Sequence, residues 1–454
     1  MNRIWMDGER LLAWMDRMQR LTWVDRLQLL LEWIILLFAA TLCFSITVSW
    51  VVLIAGLVAW ALVLSCRIAR KETVLTKPPL LYPLVGMASI AFLIGAIHGG
   101  IKEAGYSLMT LRPMICYFWA HDAFARNHRL QAFSIALLLS LAAVAGFWST
   151  IQQICNFHPF GFQYLQGTGF LSGPMAFAGQ MQLFSMVAIA LLMRSGYRWL
   201  PWKFKTPPVF AVVTAGNVLG VVFASERSAW LGFAVGLAVI SLMVSRKLTA
   251  KLSAVAAVLC GLAWMFIPVF QTRLLPLLDW RHDVSTRARL IVWEKAWQVF
   301  LENPLFGCGV RNFPPVYIKE ALVPGQADHL AHGHSNYLHI LATTGICGFA
   351  VYIWLLFASF RLAWIQAHAV RVRNFLIGRA LAFKRSIGLG MFGALVSLSV
   401  SGIFEYNFGT GQVRLAEWFL LAMLVTTKAP LLAQVKPVPE KATRSRPERK
   451  RKAA

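Results

Sequence analysis

The sequence predicts an all-α polytopic membrane protein with about twelve transmembrane helices. Three observations predict it. Of the 454 residues, 58% are hydrophobic and only 14% charged, whereas an average soluble domain has roughly 45–50% apolar residues even with glycine counted. The apolar residues run in long blocks, not in alternating or heptad patterns. A block in lipid must be helical, because hydrocarbon offers backbone groups no hydrogen-bond partner. Finally, most Lys and Arg sit in short segments between the blocks, on one side of the resulting bundle.

The runs long enough, or nearly so, to span a bilayer begin with 28–44 and 47–65, a tight hairpin. Then come 80–97, 106–124, 130–153, 174–193, 208–223, 229–244 and 252–270. After a long polar segment follow 336–360, 387–404 and 413–426. The run 106–124 is interrupted by Arg112, His121 and Asp122.

Charge tests this count. With the N-terminus inside, Arg67, Arg70, Lys71 and Lys77 fall on the cytoplasmic side, as do Arg126 and Arg129. So do Arg194, Arg198, Lys203 and Lys205, then Arg246, Lys247 and Lys251, then Arg361, Arg371, Arg373, Arg379, Lys384 and Arg385. The outward segment 155–172 has neither Lys nor Arg. This is the positive-inside pattern, and a wrong helix count would invert half of it. The net charge of +25 therefore reports orientation, and no nucleic-acid partner is expected.

The organisation follows. Segment 1–27 interleaves Arg3, Arg10, Arg17, Arg20 and Arg26 with Trp5, Leu12, Met15, Trp23 and Leu27. It reads as an amphipathic cytoplasmic helix on the membrane surface, and no cleavable signal peptide is expected. Segment 28–270 carries helices one to nine. Segment 271–333 is one large outward loop, partly helical. Segment 334–427 carries the last three helices, and 428–454 is a basic cytoplasmic tail, expected to be disordered and to touch anionic lipid. The seven Cys include no CxxC and lie mostly in apolar runs, so no disulfide framework is expected. Only Cys155 and Cys308 can face an oxidising compartment together and so could bridge.

The long loop is the exception in an otherwise apolar chain. Within 287–302, Leu290, Val292, Trp293, Ala296, Trp297 and Phe300 recur at helical spacing. Asn303-Pro304 ends that helix, and Gly307 and Gly309 permit a tight turn. A loop this long and this structured is usually functional. It also holds most of the outward cations: Arg273, Arg281, Arg287, Arg289, Lys295, Arg311 and Lys319. Arginine suits phosphate because its fork binds two oxygens at once, so an anionic ligand is indicated.

Two short motifs flank the loop. Ser225-Glu226-Arg227-Ser228 forms a very short outward turn, where an uncompensated charge costs roughly 2.5–3.5 kcal/mol in lipid. Arg227 therefore needs a partner: the neighbouring Glu226, or a ligand. His334-Ser335 opens the next span. An imidazole with an ordinary pKa of roughly 6.5 suits a general base. A histidine at a helix start is otherwise a cap or surface residue, and the neighbouring arginines favour the functional reading. His329, His332, His334 and His339 crowd together, but their spacing fits no zinc pattern, so no metal is expected. Trp280, Trp293, Trp297, Phe313 and Tyr317 could stack on sugars or serve as interface and packing aromatics. Gly345 and Gly348, at i and i+3, read as a site where a neighbouring helix approaches closely.

Taken in order, these segments resemble a known family. His334-Ser335, nine residues, then Gly345-x-x-Gly348 resembles the signature of the O-antigen ligase and polymerase superfamily. Arg287-Ala288-Arg289-Leu290-x-x-Trp293, followed by Asn303-Pro304-Leu305-x-Gly307-x-Gly309, resembles its periplasmic-loop pattern. Ser225-x-Arg227-Ser228-Ala229-Trp230-x-Gly232 resembles its short outward turn, and Gly169-Phe170-Leu171 ahead of Pro174 is a looser likeness. The resemblance covers roughly residues 150–425.

The resemblance implies a GT-C-type glycosyltransferase of the bacterial inner membrane. It would work without metal, nucleotide sugar or other cofactor, with its active site facing the periplasm. The ligase branch is the nearer one. It implies an undecaprenyl-diphosphate-linked O-polysaccharide as donor and a sugar hydroxyl of lipid A–core as acceptor. Arg227 and Arg289 would then clamp the diphosphate, and His334 would take the acceptor proton. Arg287, Arg281, Arg311, Trp293 and Ser335 would contact substrate. A polymerase of the same superfamily would carry a second Arg-rich outward loop, which 155–172 is not. A protein O-oligosaccharyltransferase would carry a further outward C-terminal region, which is not expected after Thr426. A transporter would show midplane charges and internal repeats, but Arg112 is the main such charge and no repeat is evident.

Overall fold

The computed structural model describes residues 22–73, 75–157, 166–279, 281–317, 329–369 and 375–424. Residues 1–21 of the segment 1–27 expected to be amphipathic, Trp280, Lys319 and the tail 428–454 lie outside the described residues. The helices are α1 Trp23–Thr41, α2 Ile46–Ala69, α3 Leu81–Thr110, α4 Ile115–Arg126, α5 His128–Cys155, α6 Pro174–Met193 and α7 Pro207–Phe223. They continue as α8 Arg227–Val244, α9 Arg246–Phe266, α10 Pro268–Leu274, α11 Val284–Glu302, α12 Asn336–Ala367, α13 Phe375–Ser401 and α14 Gly411–Leu421. Among the described residues the only β structure is a two-residue pairing, β1 Val316–Tyr317 against β2 His329–Leu330.

Among the described residues eight helices are long and apolar enough to cross a membrane: α2, α3, α5, α6, α8, α9, α12 and the 378–401 part of α13. The chain is a polytopic membrane protein. The other expected runs fall on α1, which carries Asp25, Arg26 and Glu32, and on α4, α7 and α14, of 12, 17 and 11 residues.

The run 106–124 is divided in a way the hydropathy did not show. The chain reverses at Gly99-Gly100, where Gly100 has φ +67°. A Cβ built on Gly95 would lie 2.7 Å from Ala104 Cα, yet nine residues of straight helix would separate these positions by about 13 Å. Tyr106 through Thr110 therefore belong to a returning segment. It continues through a 3₁₀ turn at Arg112–Met114, started by Pro113, into α4.

The core is a helical bundle centred on α6, of which all but a few residues are buried. Small residues set its close contacts: Gly146 of α5 against Gly216 and Gly220 of α7, and Gly236 of α8 against Gly393 of α13. In contrast α9 has no buried residue. The two ends of the bundle differ. At one end Arg67, at the close of α2, binds Asp122 at 2.7 Å, and Arg126 binds the same carboxylate at 3.1 Å. Arg194 donates to the Ala367 carbonyl at 2.6 Å there. At the other end α8 and α12 begin and α13 gives way to the Glu405 turn.

All seven cysteines are free, Cys155 and Cys308 included. The bridge that exposure alone allowed is not formed: the Cys308 Sγ approaches the Gly309 carbonyl instead.

Candidate functional site at the end of the bundle

The site is built from four chain segments. Ser225 and Glu226 make the turn into α8. Asp283 caps α11, its carboxylate accepting from the Thr286 backbone N–H at 3.1 Å. Ser335 caps α12 by accepting from the Leu338 N–H. The turn after α13 carries Phe404, Glu405, Tyr406 and Asn407.

Glu405 is the hub, only 6% exposed. Its Oε1 lies 3.2 Å from His334 Nδ1, and its Oε2 accepts from Arg289 at 3.4 Å. Burial would raise this carboxyl. The hydrogen bond and charge of His334, with the Arg289 charge, outweigh burial and hold Glu405 below the usual carboxylate range. Arg289, on α11, also donates through Nε to the Phe404 carbonyl at 3.0 Å. The guanidinium thus fastens α11 to the turn after α13.

His334 is held from several sides. Its carbonyl accepts from Trp293 Nε1 at 3.3 Å, and its N–H donates to His332 Nδ1 at 3.4 Å. Its φ is +41°, left-handed for a residue other than glycine. Ser225, in the facing turn, has φ +55°. His332 packs against His334, and burial first, then the His334 charge, pushes it down to about 4. Behind them the Gly333 N–H donates to His339 Nδ1 at 3.1 Å, and the His339 ring stacks on Tyr406 at 4.0 Å.

Arg227 is not paired with the neighbouring Glu226. It donates to Asp283 Oδ2 at 2.9 Å, because the first residue of α8 faces the cap of α11 and Glu226 turns elsewhere. Burial would raise Asp283, but the Thr286 hydrogen bonds and Arg227 bring it below the ordinary value. Glu226 accepts from Gln166 Nε2 at 3.0 Å and lines a small cleft with Glu405, Gln182, Ser228 and Asn407. Burial and the Glu405 charge push Glu226 up to about 7, against the pull of Arg273 and Arg289.

The structure therefore gathers Arg289, His334, Ser335 and Trp293 around Glu405, with Arg227 joined through Asp283. Arg287 is half-buried on α11 and Arg281 is exposed in the turn before Asp283. Arg311 is not gathered here: its partners are Glu103 at 3.5 Å and the Tyr106 ring at 4.6 Å, both on the returning half of α3. The loop turn at Gly307 and Gly309 aims it that way. Sequence reasoning left Glu405 and Glu226 without roles and did not single out Asp283 or Arg273. Being acids at the outward ends of apolar runs was the signal for the two glutamates.

The glycine pair also differs from expectation. Gly345 does not seat a helix. It breaks α12 with φ +62°. Beside the break, Ile346 N–H donates to the Pro304 carbonyl at 2.8 Å, and Cys308 and Gly309 N–H donate to the Ala342 and Thr343 carbonyls at 2.9 and 3.0 Å. The Asn303-to-Gly309 segment is thus laced into the interrupted helix. Gly348 contacts Thr344 of its own helix.

A helix bundle with an arginine, histidine and carboxylate cluster at the end opposite its Arg67–Asp122 network defines a polytopic membrane protein suited to an anionic substrate. Residues 209–353 match the family model described as O-antigen ligase. The matched segment runs from α7 into α12 and includes Arg227, Arg289, His334 and Gly345, while Glu405 lies beyond it. No curated protein matches the chain.

Proposed function

We propose that this protein is an O-antigen ligase. It transfers O-polysaccharide from undecaprenyl diphosphate to a sugar hydroxyl of lipid A–core, at the periplasmic face of the bacterial inner membrane. The observation that carries this reading is the His334–Glu405–Arg289 chain of contacts, at 3.2 and 3.4 Å, formed largely by the segment that matches the family.

The chemistry needs two things from the protein. Diphosphate is already a good leaving group, so what remains is a base for the acceptor hydroxyl and cations for the charge that develops. With Nδ1–H donating to Glu405, the Nε2 lone pair of His334 is free to take the acceptor proton. The acceptor oxygen then forms its bond to the anomeric carbon. The carbon–oxygen bond to the diphosphate breaks, and its electron pair leaves with the phosphate oxygen. Arg227 and Arg289 offset that charge. Trp293 and Ser335 position His334, and Arg287 and Arg281 lie on the approach. Neither metal nor nucleotide enters these steps.

In this reading α1, α4 with the returning half of α3, α7 and α14 complete about twelve crossings in a GT-C-type arrangement. Both termini are then cytoplasmic, beside the basic end. Deleting the gene and resolving lipopolysaccharide and lipid-linked glycan on gels tests the proposal. Bare lipid A–core with long O-polysaccharide left on its carrier, rescued by wild type but not by His334→Ala, is the expected result. Core bearing a single repeat unit would make the protein a polymerase, and normal ladders in both gels would refute both activities.

A further inference from the structure

His339 is buried one turn inside α12 and takes no part in the transfer steps. Its Nδ1 accepts from the Gly333 N–H at 3.1 Å, six positions back along the chain. That bond folds the residue before His334 down onto the first turn of the helix. The approach is close: a Cβ built on Gly333 would lie 3.2 Å from His339 Cβ and 3.3 Å from its Cα. The ring is gripped on other sides as well. The Tyr406 ring lies against it with centroids 4.0 Å apart, and Phe313 of the outward loop lies at 5.1 Å.

These contacts join the two halves of the His334–Glu405 pair, which come from turns 71 positions apart. His334 follows Gly333, and Glu405 precedes Tyr406, so one ring bears on the neighbour of each. As an acceptor, Nδ1 of His339 carries no proton. A buried N–H deprived of its acceptor costs more than the bond itself is worth. Without Nδ1 the Gly333 N–H would have to turn towards another partner. His334, next in the chain and already left-handed at φ +41°, is the residue that would give way.

We propose that His339 is a positioning residue of the transfer reaction: its Nδ1 holds Gly333 so that the His334 imidazole keeps its place on Glu405, and the same ring braces Tyr406 and with it the Glu405 turn. His339 acts through His334 and touches none of the reacting atoms. A side chain that only filled this space would need a flat ring and no acceptor, and that difference separates the two roles. The positioning role rests on the transfer reading for its rate test, but its second test does not need transfer.

The first test is steady-state transfer by the purified full-length protein. His339→Phe keeps a ring against Tyr406 and Phe313 but removes the acceptor, so kcat should fall about tenfold, the rate equivalent of one hydrogen bond, with KM nearly unchanged. His339→Asn places an oxygen where Nδ1 stood, two bonds from Cβ, and should recover kcat to within about threefold of wild type. Wild-type kcat in His339→Phe would overturn the proposal, as would His339→Asn no faster than His339→Phe, or a loss carried by KM instead of kcat. The second test is carbethoxylation of His334 by diethyl pyrocarbonate, located by mass spectrometry. His334 is held part-buried against Glu405, and it should react several-fold faster in His339→Phe than in wild type or His339→Asn. Equal reaction in all three would also overturn the proposal. Monodisperse elution of each variant excludes misfolding. This modification pattern without transfer to lipid A–core would sink the ligase reading alone.

Discussion

Gly345→Ala tests the joint between the loop and α12. Its φ of +62° with ψ of −169° lies in a region that only glycine adopts readily and costs another residue roughly 1–3 kcal/mol. The added Cβ would meet the backbone of Leu305 and Phe306 inside contact distance, and backbone atoms cannot swing aside as a side chain can. Relieving the clash moves the loop and breaks the bonds from Ile346 and Cys347 N–H to the Pro304 and Leu305 carbonyls, 2.8 and 3.2 Å, each worth about 0.5–1.5 kcal/mol net. Together the loss is about 2–6 kcal/mol. The control is Gly105→Ala, where a Cβ meets nothing within 4 Å; helix propensity alone makes it neutral to slightly stabilising. Thermal unfolding of both purified variants, read by loss of the monodisperse peak, is the assay. Gly345→Ala should unfold several degrees lower and lose transfer, because α11, which holds Arg289, ends where this lacing begins. Equal stability of the two variants would refute the reasoning.

Arg289→Lys should lower the transfer rate about 10²–10³-fold, since one ammonium cannot replace the fork that joins Phe404 and Glu405; single-turnover assays with a lipid-linked donor measure it. Arg311→Ala should change transfer less than a few-fold, because its partners Glu103 and Tyr106 lie on α3; a loss as large as that of Arg289→Lys would put Arg311 back at the site. Trp293→Phe keeps the ring and deletes the donor to the His334 carbonyl, a loss of about 0.5–1.5 kcal/mol, or roughly 3–10-fold in rate, with KM nearly unchanged. Asp283 is depressed by Arg227 and Thr286, so the stability it contributes is present above the unfolded pKa of about 3.9 and is lost as pH falls through the lower folded value. Acid unfolding curves of wild type and Asp283→Asn should therefore converge at low pH and separate above about pH 4.

Much of the fold was legible because hydropathy reports lipid burial directly. Most apolar runs fall on one helix each, the run 106–124 being divided between α3, a 3₁₀ turn and α4, and the reversal at Gly99-Gly100 lies in the gap between two runs. Partner identity was not legible, for a physical reason. Arg227 binds Asp283, 56 positions away, and His334 binds Glu405, 71 positions away. Such pairs are set by how helices meet, which no local spacing records. Arg311 misled because a cation in a loop carries no sign of the direction in which the loop turns. Gly345 misled because glycines at i and i+3 suit a helix contact and a helix break equally. Only the positive φ, a backbone property, separates the two.

The acids that sequence reading left without roles explain how so many cations can stand at the membrane edge before any ligand arrives. An unpaired arginine there is costly. Here Arg227 is paired with Asp283, and Arg289 with Glu405. These bonds also fix each guanidinium on a rigid element, so little side-chain entropy remains to be lost when an anion binds. The same logic applies to His334. Its left-handed backbone costs energy and persists because Trp293, His332, Glu405 and the Ser335 cap over-determine it. Fixing a base beside anchored cations before substrate enters is how electrostatic catalysis avoids reorganisation during the reaction. Among the described residues Glu226 is the one carboxyl of the cluster with no arginine hydrogen-bonded to it, and the only one driven towards its acid form.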